Sequence, residues 1–153
     1  MAIGAQDIID RLVSHAMTVG VFDRVNAHEP KSKPGRGLTC AVWVDRIEPA
    51  ASRAGLAVTT ARVVLNVRVY TTMLQNPVDA IDPAVMNAVD LLFEAYSGDF
   101  QLGDENRWID LLGATQGHPL YSQSGYINID NVVMRVMTIT VPVIVEEAWT
   151  QAS

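Results

Sequence analysis

The sequence has 153 residues, of which 49% are apolar and 18% charged, a balance that excludes an intrinsically disordered chain. Its formal charge of −6 disfavours a duplex-binding protein, which would carry a basic stripe. No apolar run approaches the ~20 residues of a membrane-spanning helix. Asp7, Asp10 and Arg11 interrupt the N-terminal segment where a secretion signal would be apolar. We therefore expect residues 1–153 to form one soluble domain.

The first half of the chain predicts one helix and two strands. Residues 5–19 carry apolar side chains at helical spacing, and Gly20 is well placed to end that helix. A Pro/Gly-rich loop at 28–37 precedes residues 38–47, which alternate as a strand does. The clearest alternation covers 60–73 and indicates a strand with one covered face. Residues 49–59 and 74–81 are predicted connections.

The second half predicts a second helix and three more strands. Asp82 and Pro83 form a typical helix start; this helix carries Met86 on its apolar stripe and is expected to stop near Gly98. Short strands are predicted at 108–112 and 126–130, and a strand with two apolar faces at 132–145, after a turn at Asp130-Asn131. Together these elements predict an α+β fold, a mixed and largely antiparallel β-sheet packed against two main α-helices.

Residues with catalytic or metal-binding chemistry are scattered. The three histidines are far apart, and no phosphate-binding loop or nucleophile motif is present. Ser122 and Ser124 lie near His118 but have no identifiable carboxylate partner. His15 is expected to be solvated, as is the pair Asp99 and Asp104. We therefore predict no enzymatic activity, no cofactor and no bound metal.

The long apolar runs carry a structural hypothesis. Strands of about 14 residues exceed the usual 3–10, which indicates either a bulge, a bend or early termination, or ends that project and pair with neighbouring copies. Pro142 interrupts the final run, and because proline lacks an amide donor, the ladder is expected to end there or to lie at an edge.

Several segments together resemble a known family. They are FDRVNAHEP (22–30), AVWVDRI (41–47), ARVVLNVRVY (61–70), YINID (126–130) and RVMTITVPVIV (135–145). In combination and order they resemble the tail terminator proteins of long non-contractile-tailed (siphovirus-type) bacteriophages that infect actinobacteria, over nearly the whole chain.

This resemblance implies a virion protein, assembled in the host bacterial cytoplasm, that forms a hexameric ring at the head-proximal end of the tail tube. Such a ring stops tube polymerisation and offers a surface to the head-side connector. Its partners would be sister subunits, the tail tube protein and the connector or stopper protein, with DNA passing through the channel without sequence-specific binding. The implied fold is a mixed sheet flanked by helices.

A head-to-tail ring needs two different complementary surfaces on each copy. The candidate contacts are seven residues in the loops and in the last strand: Lys31, Lys33, Arg36, Met73, Leu74, Asn76 and Pro142. Two alternatives stay open at this point: another neck component such as a head-side stopper, and a small α+β hydrolase or ligand-binding domain.

Overall fold

The computed structural model describes residues 3–29, 37–50, 57–72, 81–114 and 117–151. Within these ranges the elements are α1 Ala5–Val19, β1 Arg24–Asn26, β2 Thr39–Pro49, β3 Val58–Thr72, α2 Ile81–Gly98, β4 Arg107–Ile109, β5 Tyr121–Ile129 and β6 Val132–Thr150. Both helices pack on one face of a single mixed sheet. The predicted α+β class is therefore confirmed.

The sheet runs in the order β1-β2-β3-β6-β4, and β5 also pairs with β6. Only β1 and β2 are parallel among the described pairs, and the others are antiparallel. β5 and β4 share one edge of β6, with β5 against residues 132–140 and β4 against residues 143–145. The central strands β3 and β6 thus form the spine of the molecule.

The first helix follows from its sequence. Ile8, Leu12 and Ala16 recur every four residues and are fully buried against the sheet. Gly20 ends the helix with a φ of 74°, a conformation that glycine adopts without steric cost. The bounds match the prediction for residues 5–19.

Alternation along the central strands builds two apolar layers. The main core lies between the helices and one sheet face, and its strand residues include Val63, Leu65, Val67 and Val141. A smaller cluster on the opposite face contains Ala41, Tyr70, Met134 and Val136. Because β6 contributes to both layers, the predicted two-sided burial of the last strand is confirmed.

The pairing of β3 with β2 and with β6 contains one irregularity each, and the strands remain paired on both sides of it. Asp45 is an extra residue in β2 opposite the step from Leu65 to Val64. Thr60 of β3 lies opposite residues 146–148 of β6, where Glu147 has a φ of 51°. β3 nevertheless pairs with β6 from Val58 to Thr72. The alternative of a bulge or bend in the long strands is therefore confirmed, and pairing of strand ends with neighbouring copies stays a prediction.

Pro142 does not end the central ladder, so of the two predicted alternatives only a position at a locally unpaired edge of β6 is met. It is buried within β6 and lies opposite Val64 of β3. Its carbonyl oxygen accepts a hydrogen bond of 2.9 Å from the amide of Asp110, away from β3. In an extended strand the N and O of one residue point to the same side, so the missing amide hydrogen also faces away from β3. Pro142 lies between the segments of β6 that pair with β5 and with β4, so its missing amide hydrogen removes no hydrogen bond from either ladder.

Candidate assembly surface

Six of the seven predicted contact residues, Lys31, Lys33, Arg36, Met73, Leu74 and Asn76, lie outside the described residues. Their proposed role stays a prediction. Pro142 is described, and within a single subunit it is buried in β6. The surface features that the structure does bring together are the edge strand β5 and a neighbouring groove.

β5 lies at an edge of the sheet. Among the described residues it pairs with β6 alone. Its nine residues, YSQSGYINI, include no charged residue and no proline. Charges, prolines and very short length are the usual means by which proteins prevent an exposed edge from pairing with another chain. β5 has none of these, so its outer edge is suited to strand pairing between subunits.

The turn between β5 and β6 holds this edge in register. Asp130 and Asn131 have φ values of 53° and 64°, the left-handed conformations of a tight two-residue hairpin turn. Ile129 and Val132 are the last paired residues on either side. The predicted turn at Asp130-Asn131 is therefore confirmed.

One side chain of β6 stiffens the middle of the edge strand. The guanidinium of Arg135 lies 4.8 Å from the ring centroid of Tyr126, directly across the ladder. Its Nη1 donates a hydrogen bond of 3.3 Å to the carbonyl oxygen of Gly125. Such a cation–π contact stabilises the exposed aromatic ring, which remains 62% exposed.

An apolar groove opens beside this strand, between α2 and β6. It encloses about 510 Å³. Its lining residues are Pro83, Met86, Asn87, Val89, Asp90, Phe93 and Met137. A smaller extension of about 150 Å³ shares Met86 and Met137 and reaches Ser124 of β5. The groove and the edge strand are thus parts of one continuous surface.

The groove exists because α2 covers β3 and β6 but leaves β5 bare. Ser122 and Ser124 lie opposite Ile139 and Met137 of β6, and so share the sheet face on which α2 packs. Met86, which the sequence analysis places on the apolar stripe of α2, is 58% exposed and forms the groove's outer wall. Met86 therefore lies outside the part of the apolar stripe that the sheet covers.

A polar cluster joins the two helices and is structural. Asp99 Oδ2 accepts hydrogen bonds of 2.7 Å from His15 Nε2 and 2.9 Å from Arg11 Nε. Partial burial raises the pKa of Asp99, but the hydrogen bonds and charges of His15 and Arg11 outweigh it, so the pKa lies below its ordinary value. The expectation that His15 and Asp99 are solvated is wrong. Asp104 instead accepts a hydrogen bond from the amide of Asn106.

Two buried ionisable side chains of the main core have raised pKa values. Burial raises the pKa of the Cys40 thiol to about 12, so little reactive thiolate forms at neutral pH. Burial, together with the charge of Cys40, raises the pKa of Tyr96 well above its ordinary value. Cys40 packs among apolar side chains in that core.

Within the described ranges, no group of three or more His, Cys, Asp or Glu side chains is placed to hold a metal ion. Neither helix in that part of the chain combines the length and the apolar character that crossing a membrane requires.

Comparisons with known proteins give a structural likeness and no sequence match. No protein family and no curated protein sequence matches the chain. Its structure is similar to the sheath/tube terminator of an extracellular contractile injection system (PVC) in the extended state, with a TM-score of 0.37 and 12% identity. The likeness covers 100% of this chain and 62% of that one. A likeness this weak establishes neither a shared fold nor a shared function.

Sequence reasoning missed most of β5. The prediction starts that strand at residue 126, whereas it begins at Tyr121. Residues 121–125 contain two serines, a glutamine and a glycine, so no apolar alternation marks them. The signal that was available is the absence of charge from 119 to 129 in a chain of which 18% of the residues are charged.

Proposed function

We propose that this chain is a structural subunit of a ring that caps the head-proximal end of a phage tail tube. The ring, a hexamer in the resemblance described above, ends tube polymerisation and provides the surface to which the head-side connector joins. The protein acts without catalysis, as part of the virion neck, after assembly in the bacterial cytoplasm.

The observation that carries this proposal is the edge strand β5, which pairs with β6 alone within the part of the chain that the structure describes. β5 offers nine uncharged residues along one side of the sheet, whereas β1 lies at the opposite end of the strand order. A closed ring needs two different surfaces on each subunit, one for each neighbour. The outer edge of β5 supplies one of these surfaces, and the second lies on a different part of the subunit, such as the β1 end of the sheet.

The charge balance is compatible with this role. The formal charge of −6 disfavours retention of DNA that passes through a ring, because like charges repel. A further support is the sequence resemblance to tail terminator proteins, which implies a position at the head-proximal end of the tail tube. The resemblance covers segments 22–30, 41–47, 61–70, 126–130 and 135–145.

Deletion of the gene, followed by electron microscopy of the particles, tests the proposal. We expect tails of uncontrolled length and heads that remain unjoined. Tails of normal length with unjoined heads would favour another neck component, such as a stopper. Normal virions would refute a role in the neck altogether.

A further inference from the structure

We propose that the open pocket beside Arg68, on the sheet face opposite the helices, is a binding site for a carboxylate group. The pocket encloses about 300 Å³. Besides Arg68, its walls include Gln123, Gly125, Ile127 and Thr138. The site goes beyond the proposed function, because the chemistry that would recognise its ligand does not depend on a place in the virion.

Arg68 differs from the buried arginines of this protein in having no acidic partner. Arg62 and Arg107 are buried, and each donates a hydrogen bond of 2.7 Å to a carboxylate. Arg68 is half-buried, yet no carboxylate of the described residues lies within ion-pair distance of it. Removing a charge from water without a counter-ion is costly. The pocket therefore holds a cation whose partner is missing from the described part of the chain.

Two neighbours hold the guanidinium of Arg68 in place. Its carbon Cζ lies 5.2 Å from the ring centroid of Trp43, and its Nε donates a hydrogen bond of 3.0 Å to Thr138 Oγ1. The hydrogens on Nη1 and Nη2 are left as donors. Two nitrogens in one plane match the two oxygens of a carboxylate. Because the group is already held, binding costs little side-chain entropy.

A glycine in the edge strand opens the space beside Arg68. Gly125 lies opposite Val136 across the ladder of β5 and β6. A Cβ on Gly125 would meet one neighbouring atom within 4 Å, the Val136 Cγ2 at 3.9 Å. The room that a side chain would fill is therefore part of the pocket. Glycine inside a strand often marks a place where a ligand approaches closely.

The surroundings favour a carboxylate over a phosphate. Burial lowers the pKa of Arg68, and the nearby Glu29 and Tyr70 raise it by less. Glu29 is thus close enough to repel an anion, and it repels a phosphate of about two charges more strongly than a carboxylate of one. Ile127 and Val136 line the pocket as well, and they suit the aliphatic stem that a carboxylate carries and a phosphate lacks.

The carboxylate has two possible sources with the same chemistry. One is a small carboxylic acid in solution. The other is an Asp or Glu side chain of a second copy, since this chain has 17 acidic residues against 11 basic ones. The edge strand β5 supplies Gln123, Gly125 and Ile127 to the pocket, so a subunit paired with that edge would lie beside it. The experiment below distinguishes the two sources.

Nuclear magnetic resonance of the isotopically labelled protein tests the site with acetate as the probe. Sodium acetate replaces sodium chloride at constant ionic strength while the backbone amide and arginine Nε signals are recorded. We expect saturable shifts at Arg68 Nε and at the amides of Gly125 and Thr138. Inorganic phosphate in place of acetate should bind more weakly. Tighter binding of phosphate, or acetate shifts scattered over the whole surface, would overturn the proposal.

Four variants locate the binding. Arg68→Gln should weaken acetate binding at least ~10-fold, because it removes the charged donor. Gly125→Val fills the pocket with a side chain that strands favour and should weaken binding to a similar degree, with thermal denaturation as the check on folding. Glu29→Gln should tighten binding about 2- to 5-fold by removing a like charge. Arg46→Gln, at an exposed position of β2, is the control and should leave binding unchanged.

Protein concentration separates the two sources. Without acetate, shifts of the same signals that grow with protein concentration and are reversed by acetate identify a side chain of a second copy. Acetate binding without such shifts identifies a free carboxylic acid. No response to acetate, or equal losses in Arg46→Gln and Arg68→Gln, would refute the site. The gene deletion is a separate test: normal virions would refute the neck role and leave the carboxylate site standing.

Discussion

Arg107 Nη2 donates a hydrogen bond of 2.7 Å to Asp7 Oδ2, so β4 holds the first turn of α1 across 100 residues of sequence. The same nitrogen donates to the carbonyl oxygen of Leu102. The Arg107 side chain is only 6% exposed, whereas Asp7 is 73% exposed. The pair is therefore unequal, since one partner is buried and the other is largely hydrated.

Arg107→Ala should lower the free energy of unfolding by about 3 kcal/mol, because it leaves the Leu102 carbonyl without its donor and empties a buried site. Asp7→Ala should cost only about 1 kcal/mol, since water screens that carboxylate. Urea denaturation measures both. Asp10→Ala, an exposed change on the same helix, is the control, and equal losses at Asp7 and Arg107 would contradict this account.

Asp99→Asn should destabilise the protein by about 1 kcal/mol at pH 7. Because the pKa of Asp99 is lowered in the folded state, its contribution is complete above the ordinary value of 3.8 and is lost as pH falls through the folded pKa. The difference between variant and parent should therefore shrink as the pH is taken below 3.8. Thermal unfolding of the variant and the parent across pH measures this, and a difference that stays constant below pH 3.8 would contradict the account.

Cys40 should not react with a thiol reagent in the folded protein at about pH 8, because the thiol is buried and its pKa is raised to about 12. Absorbance of the thiolate released from Ellman's reagent reports the reaction. One equivalent should react after unfolding in guanidinium. Rapid reaction under native conditions would show that the core around β2 opens readily.

Gly113→Ala should destabilise the β4–β5 connection by about 2 kcal/mol, because it combines a positive φ with a collision against the backbone at Pro119. Gly117→Ala is the matched control. It also has a positive φ, of 75°, but its Cβ would meet nothing within 4 Å, so its cost should be about 1 kcal/mol. Thermal denaturation compares the two, and equal losses would mean that Gly113 is not sterically confined.

Gln123→Lys should abolish assembly without affecting folding, because a charge on an edge strand opposes strand pairing. The variant should fail to restore normal tails to particles that lack the gene, while its unfolding free energy changes by less than about 0.5 kcal/mol. Gln6→Lys makes the same substitution on an exposed position of α1 and should restore them. Full function of Gln123→Lys would exclude β5 as the pairing edge.

Local patterns in the sequence determined the helices and central strands. Ile8, Leu12 and Ala16 repeat at helical spacing, and the alternation through Val63 and Val67 marks a strand, because each element buries one face whatever its neighbours are. These signals depend only on residues close in sequence. They predicted the fold class, the bounds of α1 and the turn at Asp130-Asn131.

Only the tertiary structure decided which edge is free, which apolar side chains remain exposed and how charges pair. Pro142 lies inside the sheet because β4 and β5 leave a gap beside it, and Met86 is exposed because α2 leaves the face of β5 bare. His15 meets Asp99 only once the two helices pack together. Such contacts join residues far apart in the chain, and the spacing of side chains along one element contains no information about them.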